Sequence, residues 1–294
     1  MMLTLEKKLD LNCGLAEGCI WSETDNAFYW IDIIKSHLYK YSLSDESLQR
    51  FDTPKQPANI MLTETQNVLL VSLFDGLYLF NVITNDWQFW LNVEPNETLR
   101  LNDGCVDING NIWLGSMLMS PDKSGNDVEM GKFGRLFKVT PNKCVTIEKE
   151  AIAIFNLATY SVDNKNFYYA DSFSNEIYVC DYDLETASLS NQTVFCKLDD
   201  KFGHPDGGTT DSQGYIWSAR WDGKGIARIS SDGELSQFFS LNASQVTNIC
   251  FGGKDLKTML VTTASLTEHQ EADGGSVQLF HSDVAGISPN IVPI

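Results

Sequence analysis

What the 294-residue chain lacks narrows its class first. No stretch approaches the roughly 18 consecutive apolar residues of a membrane helix. The start, MMLTLEKKLDLN, holds no apolar core of signal-peptide length. There is no CxxC pair, no HExxH, no GxSxG elbow, and no Gly-rich loop leading into Lys-Ser/Thr. Zinc-finger, zincin, serine-hydrolase and P-loop chemistries have no footing here. Positive charge is scarce: 21 Lys+Arg against 39 Asp+Glu, a net charge of −18. A polyanion meets a repulsive field, so neither nucleic acid nor an anionic membrane surface is an expected partner. The seven cysteines are odd in number and unpaired in spacing. They read as reduced, mostly buried thiols, with Cys19 and Cys105 as small buried fillers, and they suit a cytoplasmic protein. Helical periodicity is weak everywhere.

What is present is a repeated strand–turn–strand unit. Asp107-Ile-Asn-Gly-Asn-Ile-Trp113 matches Asp211-Ser-Gln-Gly-Tyr-Ile-Trp217, and looser copies begin at Glu23, Glu64, Asp163 and Gly253. The leading positions 23, 64, 107, 163, 211 and 253 lie 41, 43, 56, 48 and 42 apart. Short strands punctuated by Gly, Asp and Asn read as antiparallel hairpins, and periods near 40–50 residues indicate propeller blades. The spacing predicts an all-β fold: a six-bladed β-propeller filling residues 1–294 as a single domain. The segment Leu3–Leu11 lies outside the six units and is expected to pair with the last blade and close the ring. The longest gap carries Met117–Lys132, read as an inserted loop.

In a propeller the innermost strand of each blade lines a central channel, so matched repeat positions converge on one mouth. Five to seven residues before each leading residue stand Glu17, Asn59, Asn102, Asn156, Asp206 and Asn248. Apolar residues would suit a mere core; this set offers oxygen donors only, with two carboxylates, and that chemistry suits a hard divalent cation. Arg100, beside Asn102, is a candidate for gripping substrate. His204 is a lesser candidate base in a solvated loop.

These residues carry a family resemblance. Glu17-Gly18 with Ile20-Trp21, Tyr29-Trp30-Ile31-Asp32, Arg100-Leu-Asn102-Asp103-Gly104, Tyr168-Tyr169-Ala-Asp171-Ser172, Pro205-Asp206-Gly207 and Cys250-Phe251-Gly252-Gly253 occur in the order seen in one family. The chain resembles the gluconolactonase/regucalcin (senescence marker protein)/luciferin-regenerating-enzyme family of six-bladed propellers. The resemblance implies one divalent metal ion held by Glu17, Asn156 and Asp206. It implies substrate contacts from Arg100 and Asn102, and from Glu129 in the blade-three insertion. Two departures stand out: the family's GEGP is Ala16-Glu17-Gly18-Cys19 here, and the glycine after the fourth-blade asparagine is Leu157.

The expected activity is metal-dependent hydrolysis of a small-molecule sugar lactone. The cation (calcium, zinc, manganese, magnesium or iron) would polarise the carbonyl and activate water, with Asp206 as general base. A phosphotriesterase or fluorophosphatase with Asn102 as a direct calcium ligand is the second reading, and a non-enzymatic calcium-binding propeller the third. A monomer or small homo-oligomer is expected.

Overall fold

The computed structural model describes residues 1–119, 131–266 and 271–294, so Glu129 lies outside the described residues. Six antiparallel sheets stand around one axis. Their innermost strands are Ala16–Ser22, Pro57–Thr63, Leu99–Val106, Phe155–Tyr160, His204–Thr210 and Val246–Gly252, and each touches the next around the ring. Blade six is made from both chain ends: Leu3–Leu9 pairs with Val277–Ser282 as its outermost strand. The six-bladed architecture and its closure by the N-terminal strand are therefore as the sequence predicts. Among the described residues the one helix is a 3-10 turn at Asp200–Phe202, and no helix is long and apolar enough to cross a membrane.

The second strand of each blade explains why the repeat is so readable. A blade is sandwiched between two others, so both faces of this strand are covered and its sequence is apolar without alternation. In Ala27-Phe28-Tyr29-Trp30-Ile31, Phe28 and Trp30 pack with Cys250, Leu260 and Leu279 of blade six. Ala27, Tyr29 and Ile31 pack instead with Ile60, Val71 and Phe80 of blade two. Apolar clusters of this kind fill every blade-to-blade interface.

The two strongest repeat copies carry a second device. The Asp107 carboxylate accepts the Trp113 indole N–H at 2.9 Å, and Asp211 accepts that of Trp217 at 2.9 Å. The leading acid also caps its own turn, taking backbone N–H groups from Asn109 and Asn111 or from Gln213 and Tyr215. The motif thus joins turn and buried indole through one carboxylate. All seven cysteines are free.

One element has no precedent in the repeat. After blade six the chain runs across the face where the first hairpin turns lie. Ala285 accepts the Ser212 N–H, Asn290 donates to the Val106 carbonyl, and Ile291–Val292 lies parallel to the end of blade two's inner strand. This C-terminal strap crosses one mouth of the channel.

Candidate functional site

The inner strands share one irregularity. Their pairing slips between Glu17 and Ile20, Pro57 and Asn59, Leu101 and Gly104, Asn156 and Thr159, Pro205 and Gly208, and Val246 and Asn248. Bulges at a common level bend each strand and re-aim its side chains. Four of them carry Glu17, Asn102, Asn156 and Asp206 into a cavity of about 460 Å³ at the mouth opposite the strap, where Arg100 also lines the wall. All five described members of the expected site are therefore brought together. A second cavity of about 300 Å³ lies under the strap; Asp103 lines both. Cys19 and Cys105 are half-buried and line this lower cavity, a correction to their reading as core fillers.

The floor is braced by separate hydrogen-bonded pairs. Glu17 Oε2 accepts from the Gly18 N–H and from Asn248 Nδ2, each at 2.9 Å. Asn59 Nδ2 donates to Asp103 at 3.1 Å. Asn59 and Asn248 do hold the matched positions, but their oxygens take their own neighbours' N–H groups from Ile60 and Ile249. They are braces for carboxylates.

Asn156 Oδ1 accepts from Asn102 Nδ2 at 2.9 Å, and its Nδ2 donates to Ser172 Oγ at 2.8 Å. Ser172 in turn donates to the Pro205 carbonyl. This chain fixes which way the Asn156 amide faces and ties blade four to the strand bearing Asp206. Ser172 had no assigned role in the sequence; its position directly after the blade-four acid Asp171 was the available signal. Arg100 Nη1 donates to Asn102 Oδ1 at 2.7 Å and to the Leu101 carbonyl at 3.1 Å. A guanidinium on that oxygen leaves it poorly placed as a cation ligand, which counts against Asn102 as a direct ligand.

The electrostatics are those of charge confined without its counter-ion. Burial, reinforced by the Asp103 carboxylate, pushes Glu17 up to about 7. Burial and then the Glu17 and Asp103 charges hold Asp206 well above the usual carboxylate range. Burial raises Asp103 to about 6 against the pull of N–H groups from Gly104, Ala158 and Leu157. Arg100, half-buried at the wall, is lowered by desolvation to about 10 and stays charged at neutral pH. Among the described residues it forms no ion pair, so its charge is directed at the cavity. Among those residues, too, no three His, Cys, Asp and Glu side chains are grouped to share an ion. A cation here would take Glu17 and Asp206 with the amide oxygen of Asn156. Oxygen-only donors, two of them carboxylates whose burial favours neutralisation, fit a hard divalent ion.

Known proteins place this geometry in context. Residues 15–265 match the family described as SMP-30/Gluconolactonase/LRE-like region. The pentonolactonase of Haloferax volcanii is 30% identical over 96% of this chain and 95% of its own length. The L-arabinolactonase of Azospirillum brasilense is 30% identical over 90% of this chain and 86% of its own. Among solved structures, a luciferin-regenerating enzyme superposes with TM-score 0.89 at 26% identity, covering 100% of this chain and 99% of its own. The regucalcin of Agrobacterium tumefaciens, described as calcium-binding, shares the fold with TM-score 0.90 at 22% identity, covering 99% and 98%. With its six blades and a family match running from Leu15 to Ser265, the chain belongs to the SMP-30/gluconolactonase/luciferin-regenerating-enzyme family.

Proposed function

We propose that the protein is a divalent-metal-dependent lactonase acting on small sugar lactones. One observation carries the reading: Glu17, Asn156 and Asp206, from three different blades, meet in the cavity that Arg100 and Asn102 also enter. The relatives' names, pentonolactonase and L-arabinolactonase, supply the substrate class. Glu17, Asn156 and Asp206 would hold the ion. When bound, it supplies positive charge that polarises the lactone carbonyl and acidifies a water.

The chain's own groups do the rest. Asp206, with a raised proton affinity and a place among the donors, takes the proton of the attacking water. Arg100, charged and without an acidic partner among the described residues, stabilises the negative charge that develops on the carbonyl oxygen. Asn102 takes Arg100 on its Oδ1 and donates both Nδ2 hydrogens, to Asn156 Oδ1 and the Phe155 carbonyl, so it orients Arg100 and Asn156 and leaves one Oδ1 lone pair to accept from a ring hydroxyl. The free thiols favour a cytosolic setting.

The test is a pH-indicator assay over pentono- and hexonolactones, with chelated protein and each of Ca²⁺, Mg²⁺, Mn²⁺, Zn²⁺ and Fe²⁺ added in turn. Activity should return with at least one ion. Asp206→Ala should lose about 10²–10⁴-fold in kcat while melting cooperatively. Wild-type turnover by that variant, or undiminished turnover by the chelated protein, would remove the mechanism.

A further inference from the structure

One hydroxyl stands between the carriers of two of the three proposed cation ligands. Ser172 follows Asp171, the last residue of blade four's second strand, Asn166–Asp171. Its main chain is anchored to the strand that bears Asn156. The Ser172 N–H donates to the Ile154 carbonyl at 3.0 Å, and the Asp171 carboxylate accepts the Ala153 and Ile154 N–H groups. Its side chain reaches the other way. Ser172 Oγ donates to the Pro205 carbonyl, part of the peptide unit that leads into Asp206 on blade five.

A serine has one hydroxyl hydrogen, and a carbonyl can only accept. That hydrogen is spent on Pro205, so Ser172 Oγ meets Asn156 Nδ2, 2.8 Å away, purely as an acceptor. From the opposite side Arg100 can only donate, so Asn102 turns its Oδ1 to Arg100 and its Nδ2 to Asn156 Oδ1. Donation therefore runs in one direction, from Arg100 to the Pro205 carbonyl. Asn156 Oδ1 keeps one of its two lone pairs for a ligand, and the reversed amide would lose both of these bonds. The approach to Asp206 is held as firmly. Arg220, fully buried, donates to the Phe202 and Gly203 carbonyls at 3.0 and 2.6 Å. It also donates to Asn175 Oδ1 at 3.0 Å, and the Asn175 N–H closes the Ser172 turn on the Ser172 carbonyl at 3.2 Å. Ser172 Oγ is thus bonded at once to a ligand side chain on blade four and to the backbone beside a ligand on blade five.

Building on the cation site of the lactonase reading, we propose that Ser172 is a positioning residue that sets ion selectivity by fixing the spacing of the Asn156 and Asp206 donors. Fixed spacing matters unequally to different ions. Mg²⁺ demands near-ideal octahedral geometry at about 2.0–2.1 Å, whereas Ca²⁺ accepts about six to eight oxygens at about 2.3–2.6 Å in flexible arrangements. Donors that cannot drift keep their affinity for the smaller ion; loosened donors lose that affinity first.

The test compares Ser172→Thr with Ser172→Val. These side chains share one shape, so the cost of the added bulk falls on both and the pair differs only in the hydroxyl. Ser172→Ala, which adds no bulk, serves as a third variant. Each chelated protein is titrated with Mg²⁺ and with Ca²⁺ by isothermal calorimetry, and its melting temperature without ion is recorded. Ser172→Thr should keep the wild-type ratio of the two affinities within about twofold. Ser172→Val and Ser172→Ala should weaken Mg²⁺ binding about tenfold or more and Ca²⁺ binding by about threefold at most. A hydroxyl with a merely structural role would lower the ion-free melting temperature and both affinities together. Equal losses for the two ions, or Mg²⁺ affinity in Val and Ala variants equal to that of Ser172→Thr, overturn the role of Ser172 and leave the lactonase reading standing. Wild-type protein that binds neither Mg²⁺ nor Ca²⁺ overturns it too; failure to bind any divalent ion removes the cation site as well.

Discussion

Leu157 shows what a single residue can conceal. It follows Asn156 where the family has glycine, and it adopts φ 52°, in the left-handed region that costs a non-glycine residue about 1–2 kcal/mol. Gly18, the corresponding neighbour of Glu17, has φ 57°. The strain is held by packing. Leu157 is fully buried in the core between blades four and five, and a Cβ on Gly208 would lie 3.0 Å from its Cγ. The backbone thus keeps the family's turn while the side chain wedges the Asn156 and Asp206 strands at a set distance. Leu157→Gly should relieve the strain yet leave a cavity, for a net loss of about 1–3 kcal/mol by urea titration. Greater stability in the glycine variant would refute the wedge. Sequence reasoning found the floor residues because each repeats at a matched offset. Of the cavity residues two positions earlier, Arg100 was found but Leu15 and Ile154 escaped: counting back five to seven residues from a turn is too loose to separate one level of a strand from the next, and His204 was set aside as a solvated loop residue. The i−2 relation to Asp206 was the missed signal.

At the scale of elements, legibility followed physical redundancy. The second strands announce themselves because both their faces are buried, and Asp107 and Asp211 because one carboxylate joins a turn to an indole within seven residues. The bulges could not be read, since their evidence is a pairing slip against another strand. The strap was equally silent. Asp283–Ile294 has no periodicity, and its partners Leu62, Val106 and Ser212 are distant in sequence. Val292 is fully buried in the core of blades two and three. Removing Ile291–Ile294 should therefore cost about 1.5–3 kcal/mol in chemical denaturation. KM should stay within about twofold of wild type, because the strap crosses the face opposite the site. Unchanged stability, or a KM shift of about fivefold or more, would contradict this placement.

The whole molecule is a ring that gathers three carboxylates near its axis, Asp206 buried and Glu17 and Asp103 half-buried, and its response to pH should show it. Glu17, Asp103 and Asp206 have folded-state proton affinities raised by burial above their unfolded values. Such groups contribute stability below the unfolded carboxylate range and lose it as pH rises through the raised values, here between about 4.5 and 7. His37, half-buried and lowered by that burial, works weakly in the opposite sense. Chelated protein should therefore melt at a lower temperature at pH 8 than at pH 5.5, and a saturating divalent cation should remove most of that slope. A chelated protein that becomes more stable across this interval would show that the carboxylates are not confined as described. The closure of the ring has a consequence for the birth of the protein as well. Leu3–Leu9 leaves the ribosome 268 residues ahead of its pairing partner Val277–Ser282, from Leu9 to Val277 (277 − 9 = 268). At typical synthesis rates of roughly 5–20 residues per second, this strand waits on the order of 15–60 s with its backbone unpaired. Five blades can assemble in order during that time, but the sixth can be completed only once Val277–Ser282 has emerged.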